Sequence, residues 1–171
     1  SLLLFIGSNI GNYLQNAAKE LIKLFHQSMK VGDKLLIGVD LKKNPNTILN
    51  AYIDPHGITK RFNLNLLTRI NRELGGDFDL SKFDFFATYQ PETGEVRSYI
   101  VSLIEQEVEL KTIDRIIQFK KGECIWTELS KKYDLSELEN FIQSCGFKKI
   151  THFIDSNEYF TDSLFEKIEF R

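Results

Sequence analysis

Apolar positions at the start of the chain predict a strand, a glycine turn, a helix and a second strand. Residues 2–6 form a continuous apolar run, which is typical of a parallel strand buried on both faces of a sheet. After the turn, apolar residues recur at helical spacing from Leu14 to Phe25. Residues 34–40 form another apolar run, which ends in an acidic side chain. Together these segments predict a right-handed βαβ unit.

The pattern changes after Pro45. A short helix over residues 47–52 and a turn over residues 54–57 lead into an amphipathic helix, with Thr59 as its predicted N-cap and Gly75 as its C-terminal stop. The apolar face of that helix comprises Phe62, Leu66, Leu67, Ile70 and Leu74. Short strands are predicted at residues 85–89, 97–104, 107–113 and 116–119. Their close spacing favours antiparallel pairing.

The last part of the chain predicts a return to the first sheet. Residues 135–145 have the pattern of a helix that Gly146 ends, and residues 147–154 and 159–170 have the pattern of two strands. A final helix with a pair of strands is the kind of segment that adds to the sheet formed by the first part of the chain.

The predicted fold class is therefore α/β, with a sheet domain interrupted by an insertion. We predict that residues 1–55 and 131–171 form the sheet domain, and that residues 56–130 form a mostly antiparallel α+β insertion.

Composition and charge exclude several classes of protein. The 171 residues carry 22 Lys+Arg against 24 Asp+Glu, a net charge of -2, so neither nucleic acid nor an anionic membrane is an expected partner. The longest apolar runs are far shorter than the roughly 20 residues of a membrane-spanning helix, and we find no secretory signal. Cys124 and Cys145 are expected to be free buried thiols, which favours a cytoplasmic location. The chain starts inside a predicted strand without an initiator methionine, so we expect it to be the C-terminal piece of a longer protein.

The glycine turn at residues 7–12 is the first candidate for chemistry. It lies at the carboxyl end of a strand, where open α/β sheets bind ligands, although it is neither a Walker loop nor a Gly-x-Gly-x-x-Gly motif. Asn12 is either the N-cap of the following helix or an amide that faces a ligand. Tyr52 is either a packed ring or part of a ligand cleft.

A second candidate is the segment that contains Trp126, Glu128 and Ser130. Residues two apart on an extended segment point to the same side, so an aromatic ring, a carboxylate and a hydroxyl share one face. The alternative interpretation is an ordinary solvated strand face. The lysine pairs, Lys131–Lys132 among them, are interpreted as solvated surface. The three histidines are widely separated, so no metal site is predicted.

Seven segments, taken in order and with similar spacings, resemble one family. They are residues 4–12 (LFIGSNIGN), 32–41 (GDKLLIGVDL), 51–54 (AYID), 57–59 (GIT), 62–65 (FNLN), 71–74 (NREL) and 127–133 (TELSKKY). This set resembles the histidine-specific, S-adenosylmethionine-dependent methyltransferases over the whole length of the chain.

The resemblance implies the C-terminal part of a class I, Rossmann-like methyltransferase sheet with an added substrate domain. S-adenosylmethionine (SAM) is then the cofactor, and we assign Gly7 and Ser8 to its binding. The glycine loop and the acidic residue that bind SAM in the family are expected in an upstream part of the same protein. The chain alone is therefore expected to be inactive.

The resemblance also implies roles for four substrate-binding residues. Those that match Asn12 and Tyr52 hold the carboxylate and amino end of the amino acid, and those that match Glu128 and Ser130 hydrogen-bond its imidazole. The expected function is SAM-dependent N-methylation of the α-amino group of histidine or a related small amine. No catalytic residue is assigned, because the uncharged amine attacks the methyl group directly and catalysis rests on positioning.

Two departures from the family pattern leave the substrate open. Ile53 stands where members usually carry asparagine, and Ser98 stands roughly where a methionine lies beside the substrate. They support an alternative function, in which the chain is a non-catalytic amino-acid-binding or scaffolding domain with the same fold.

Overall fold

The structure is a computed structural model, and it describes residues 1–169. The helices are α1 (Gln15–Ser28), α2 (Pro45–Tyr52), α3 (Ile58–Leu74) and α4 (Leu135–Gln143). The strands are β1 (Leu2–Phe5), β2 (Lys34–Asp40), β3 (Phe83–Gln90), β4 (Glu95–Ser102), β5 (Gln106–Leu110), β6 (Arg115–Phe119), β7 (Cys124–Lys131), β8 (Phe147–Ile154) and β9 (Phe160–Lys167). Position 170, the end of the last predicted strand, lies outside the described residues.

The chain divides into two compact units. The first contains residues 1–44, 90–96 and the segment from 129 onward, and the second contains residues 45–89 and 97–128. These bounds differ from the predicted domain bounds at three places, one of which is that residues 129–130 belong to the first unit. The helix α2 belongs to the second unit, and the turn between β3 and β4 belongs to the first, where Lys132 N donates to Gly94 O (2.7 Å).

The first unit is built on a four-stranded sheet with the order β1-β2-β9-β8. The parallel pairing of β1 with β2 is confirmed, and β9 pairs antiparallel with both β2 and β8. The final helix and strands therefore do return to the first sheet. The prediction that β1 is buried on both faces is wrong, because Leu2 and Leu4 are more than half exposed. Only Leu3 and Phe5 pack on the core.

The core of the first unit lies between one face of this sheet and the helices α1 and α4. It contains Leu35, Ile37 and Val39, which alternate along β2 and so point to the same face. Buried side chains from the helices complete it; they are Ala18, Ile22, Leu138 and Ile142.

The second unit contains α2, α3, most of the three-stranded sheet β3-β4-β7 and the hairpin β5-β6. Its core includes Leu64, Leu67, Phe78, Phe83, Ile100 and Phe119. The predicted apolar face of α3 is only partly correct, because Phe62 is 76 % exposed and Leu66 is 38 % exposed. The buried stripe is Asn63, Leu64 and Leu67, since the helix is rotated so that a polar residue lies on its inner side.

The ends of α3 correct one prediction and confirm another. Its N-cap is Gly57, in the left-handed region, rather than Thr59. The carboxylate of Asp54 accepts from Ile58 N (2.9 Å) and Thr59 N (2.7 Å), so it satisfies two amides that the first turn leaves unpaired. At the other end Gly75 (φ 61°) is the predicted C-terminal stop.

Within residues 1–169, no helix is long and apolar enough to cross a membrane. Both cysteines lie in this part of the chain and both are free. Cys145 is buried as predicted, whereas Cys124 is exposed at the start of β7.

Candidate functional site

The turn after β1 places Gly7 and Ser8 at the carboxyl end of the parallel strands. Both have a positive φ, 79° and 60°, and that region is uncommon for a side chain such as serine. Two contacts to β2 hold Ser8 there. Its N–H donates to Gly38 O (3.1 Å), and its Oγ accepts from Asp40 N (3.0 Å). The turn is thereby fixed against β2, while Gly7 stays exposed and carries no side chain.

Asn12 is the last residue of a 3-10 helix, Asn9–Asn12, which lies between β1 and α1. The helix α1 begins at Gln15 with Leu14 as its N-cap, so the interpretation of Asn12 as a helix cap is wrong. The Asn12 side chain is exposed, and among residues 1–169 it has no hydrogen-bond partner. Its amide is therefore available to a ligand.

The 3-10 helix lies directly against the end of β7. A Cβ on Gly11 would come within 2.5 Å of Lys131 O and 3.1 Å of Lys131 N, so no side chain fits at this position. This close approach holds Asn12 in the first unit beside the segment that carries Ser130.

Ser130 lies near the end of β7 and is buried. Its Oγ accepts from Lys132 Nζ (2.8 Å), and the same Nζ lies 2.9 Å from Asp40 Oδ2. Asp40 also forms an ion pair with Lys43. A chain of polar contacts in the first unit thus runs from Ser8 through Asp40 and Lys132 to Ser130.

The prediction that Lys131 and Lys132 are solvated surface is wrong for Lys132, whose side chain is only 4 % exposed. The i, i+2 spacing that groups Trp126, Glu128 and Ser130 also places Lys132 on that face, so the signal was present in the sequence. A pair of lysines is ordinarily solvated, and only the structure shows the aspartate that accompanies this one.

The second unit contains the other two predicted substrate-binding residues. Tyr52 is the last residue of α2 and is partly buried. Asp54 lies two residues after Tyr52, and its carboxylate accepts hydrogen bonds from the Thr59 and Ile58 amides at the start of α3. These bonds lower the pKa of Asp54 to about 2 and hold the start of α3 against this segment.

Glu128 lies on β7 with a carboxylate that has no hydrogen bond or ion pair within residues 1–169. It lines a cleft of about 390 Å³, together with Thr127 and residues of α3, which include Phe62, Asn65 and Arg69. Trp126 is fixed beside it, since its Nε1 donates to Glu128 O (2.8 Å) and Arg97 Cζ lies 5.4 Å from its ring centre. On this face of β7 the Trp126 ring is therefore held in place, and the Glu128 carboxylate remains free to accept a hydrogen bond.

Thr127 is a residue of this region that the sequence interpretation missed. Its Oγ1 lies 3.1 Å from both Asn63 Oδ1 and Ser98 O, and these contacts tie β7 to α3 and to β4. Ser98 is buried, so the small side chain at this departure from the family pattern lies inside the second unit. No pattern in one sequence distinguishes such a tertiary contact from a surface threonine.

Comparison with known proteins gives close relatives over nearly the full chain. The family model for the SAM-dependent histidine-specific methyltransferases matches residues 1–167. The histidine N-alpha-methyltransferase of Mycobacterium tuberculosis is 32 % identical over 166 residues, which are 97 % of this chain and 52 % of that protein. The enzyme of the same name from Mycolicibacterium smegmatis is 32 % identical over 151 residues, 88 % of this chain and 47 % of that protein. The chain spans about half the length of the curated relatives it matches.

The fold also has a counterpart among solved structures. The CcbJ methyltransferase from Streptomyces caelestis aligns with 99 % of this chain and 57 % of its own length, with a TM-score of 0.51 and 8 % sequence identity. At this identity the likeness shows the fold alone, which is the α/β fold of a methyltransferase. The family match covers nearly the whole chain, and the chain therefore belongs to the histidine-specific, SAM-dependent methyltransferase family.

Proposed function

We propose that this chain provides the substrate-binding part of an enzyme that transfers a methyl group from SAM to the α-amino group of histidine or a related small amine. The observation that carries the proposal is the pair Glu128 and Ser130, two residues apart on one face of β7 in a member of this family. A carboxylate accepts from a ring N–H and a hydroxyl hydrogen-bonds the other ring nitrogen, so these two residue types suit an imidazole.

The glycine turn fits the cofactor that the family implies. Gly7 is exposed and has no side chain, so a ligand can approach its backbone at the carboxyl end of β1, which is a usual ligand-binding position in such sheets. Gly7 and Ser8 would hold SAM there, and when bound SAM supplies the methyl group that is transferred. Ser8 keeps its hydroxyl proton for a ligand, because its Oγ accepts from Asp40 N.

The residues of this chain bind and orient the substrate. Asn12 presents an unpaired amide for the carboxylate and amino end of the amino acid. The family resemblance assigns Tyr52 to the same end. Glu128 accepts from one ring N–H, and Ser130 hydrogen-bonds the other nitrogen. Catalysis then depends on the placement of an uncharged amine rather than on an acid or base from this chain.

The proposed domain roles follow the predicted division. Residues 56–130 would be the inserted substrate domain, and residues 1–55 and 131–171 would belong to the sheet that carries the cofactor. The relatives are about twice as long as this chain, which supports a cofactor site completed by another part of the same protein. Two cysteines that form no disulfide within residues 1–169 agree with the proposed cytoplasmic location.

The alternative function is a non-catalytic amino-acid-binding or scaffolding domain. The relatives named as methyltransferases favour the enzyme. The free groups of Asn12 and Glu128 favour a ligand-binding site over the scaffolding form of this alternative, because a scaffold does not need polar groups that are available to a ligand.

The test is methyl transfer from labelled SAM by the full-length protein to a panel of amino acids and small amines. We expect transfer to histidine, and a loss of at least about tenfold in kcat/KM for Glu128→Ala. Glu105→Ala, which removes an exposed glutamate of the β4–β5 turn, is the matched control and is expected to retain full activity. Binding of histidine without transfer to any substrate would instead support the non-catalytic amino-acid-binding domain.

A further inference from the structure

We propose that Lys132 is a positioning residue that makes the Ser130 hydroxyl a hydrogen-bond donor towards the substrate. The inference rests on the proposed function, because it concerns how the same site selects its substrate. It adds a requirement to that function: the side chain bound next to Ser130 must present an unprotonated acceptor atom.

Ser130 and Lys132 differ in the hydrogen bonds that their side chains can form. A serine hydroxyl has one proton to donate and two lone pairs to accept with, whereas a lysine ammonium only donates. Lys132 Nζ lies 2.8 Å from Ser130 Oγ, so the hydroxyl must accept in this contact. Within residues 1–169 the hydroxyl has no other partner, and its proton therefore remains for a ligand.

Burial makes this arrangement rigid. Ser130 is 7 % exposed and Lys132 is 3 % exposed, so water does not compete freely for either group. The ammonium is held by Asp40 Oδ2 at 2.9 Å, and Asp40 is itself fixed to Ser8 by its backbone N–H. A charged donor forms a stronger hydrogen bond than a neutral one, so the Ser130 hydroxyl is favoured in the orientation in which it accepts from the Lys132 ammonium.

The consequence is a rule for the bound ring. Glu128 presents a free carboxylate, which accepts from a ring N–H, and Ser130 presents a proton, which needs an acceptor. A neutral imidazole offers one of each, whereas an imidazolium offers two N–H groups and a pyrrole offers one N–H with no acceptor. With the Ser130 hydroxyl held as a donor by Lys132, the site distinguishes a neutral imidazole from an imidazolium and from a pyrrole.

The structure also supplies a matched control. Lys43 forms an ion pair with the other oxygen of Asp40 and hydrogen-bonds Tyr159 O (2.9 Å), with no contact to Ser130. Lys132→Met and Lys43→Met each remove one of the two cations that accompany Asp40. Only the first removes the donor to Ser130.

The experiment measures kcat/KM of the full-length protein for histidine and for the 2- and 3-pyrrolylalanines, which keep one ring N–H and lack the acceptor nitrogen. We expect the wild type to prefer histidine by at least about tenfold. In Lys132→Met we expect this preference to fall to within about threefold, mainly through a higher KM for histidine, while Lys43→Met keeps it. Adding Lys132→Met to Ser130→Ala should change the preference no further, since the lysine acts through the hydroxyl.

Other outcomes overturn the proposal. An equal loss for all three substrates in Lys132→Met would make the lysine a structural residue only, and the proposed function would stand. Failure of the wild type to methylate histidine would remove the proposed function and this inference together. If Lys132→Met does not fold, Lys132→Met with Asp40→Asn removes both members of the buried pair and takes its place in the same comparison.

Discussion

The carboxylate of Asp54 is the residue whose protonation has the clearest effect on the fold. It accepts from the Ile58 and Thr59 amides at the start of α3, and these bonds lower its pKa to about 2. A carboxyl whose pKa is lower in the folded state stabilises the protein above the unfolded pKa, near 3.9, and loses that effect as the pH falls towards 2. We therefore expect Asp54→Asn to lower the melting temperature at pH 6, and expect its difference from the wild type to shrink between pH 4 and pH 2.

The measurement is thermal unfolding of both proteins across that pH range. Asp114→Asn is the control, because Asp114 is exposed, has no side-chain hydrogen bond among residues 1–169 and has a left-handed backbone that asparagine also accepts. A difference for Asp54→Asn that stays constant down to pH 2 would show that the carboxylate is not the group that stabilises α3.

Gly11 is a position where a single added carbon is expected to disturb the site. A Cβ would lie 2.5 Å from the backbone oxygen of Lys131, and a backbone atom cannot move as a flexible side chain does. We expect Gly11→Ala to destabilise the protein by about 1–3 kcal/mol and to reduce activity, because it displaces Asn12 from the end of β7.

Denaturant unfolding and methyl transfer measured on the same preparation check this prediction. Gly122→Ala serves as the control, since that glycine also resists substitution through its positive φ but has nothing within 4 Å of an added Cβ. Loss of stability in both variants with loss of activity in Gly11→Ala alone is the expected result. Full activity of Gly11→Ala would separate Asn12 from the function.

At the scale of elements, α3 shows what periodicity predicts and what it leaves open. The spacing of apolar residues predicted the helix and its end at Gly75, but it predicted Phe62 and Leu67 alike on the buried apolar face. In the structure Leu67 is fully buried and Phe62 is 76 % exposed. We expect Leu67→Ala to cost about 2–5 kcal/mol of stability and Phe62→Ala to cost less than about 0.5 kcal/mol. Chemical denaturation of the two variants decides it, and similar losses would contradict the observed rotation of the helix.

The elements that the sequence predicted correctly share a local cause. The strands β2 and β8 and the helices α1 and α4 have a clear hydrophobic pattern, and each lies where the pattern placed it. The exposure of β1 and the cap of α3 depend on tertiary neighbours. Nothing in the sequence distinguishes the exposed Leu2 and Leu4 from buried strand residues. The carboxylate of Asp54 caps a helix that starts four residues later, outside the usual N-cap position. Such features follow from packing, which composition and spacing do not contain.

At the scale of the whole molecule, the residues of the candidate site were found partly by pattern and partly by resemblance. The alternation along β7 identified Glu128 and Ser130 as neighbours on one face, whereas the roles of Asn12 and Tyr52 came from the family motifs alone. The ion pair that places Lys132 next to Ser130 joins Asp40, the last residue of β2, to the residue that follows β7, and the two are more than ninety positions apart in sequence. One sequence gives no signal for a pairing over that distance, so the positioning of the site could not be predicted from it.

Ile53 is a position at which the chain departs from the family pattern. Ile53 directly follows Tyr52 at the end of α2, where its N–H donates to Leu49 O (2.8 Å) and its side chain is about half exposed. An asparagine there would bring an amide next to the residue that we propose for the polar end of the amino acid. One added hydrogen bond corresponds to about 2–10-fold, so we expect Ile53→Asn to raise kcat/KM for histidine by that factor, mainly through a lower KM. Steady-state kinetics of the full-length protein, with the half-exposed Ile113→Asn as control, test this. An unchanged or lower kcat/KM in Ile53→Asn alone would show that the isoleucine is adapted to the present substrate, and would direct the search to amines less polar than histidine.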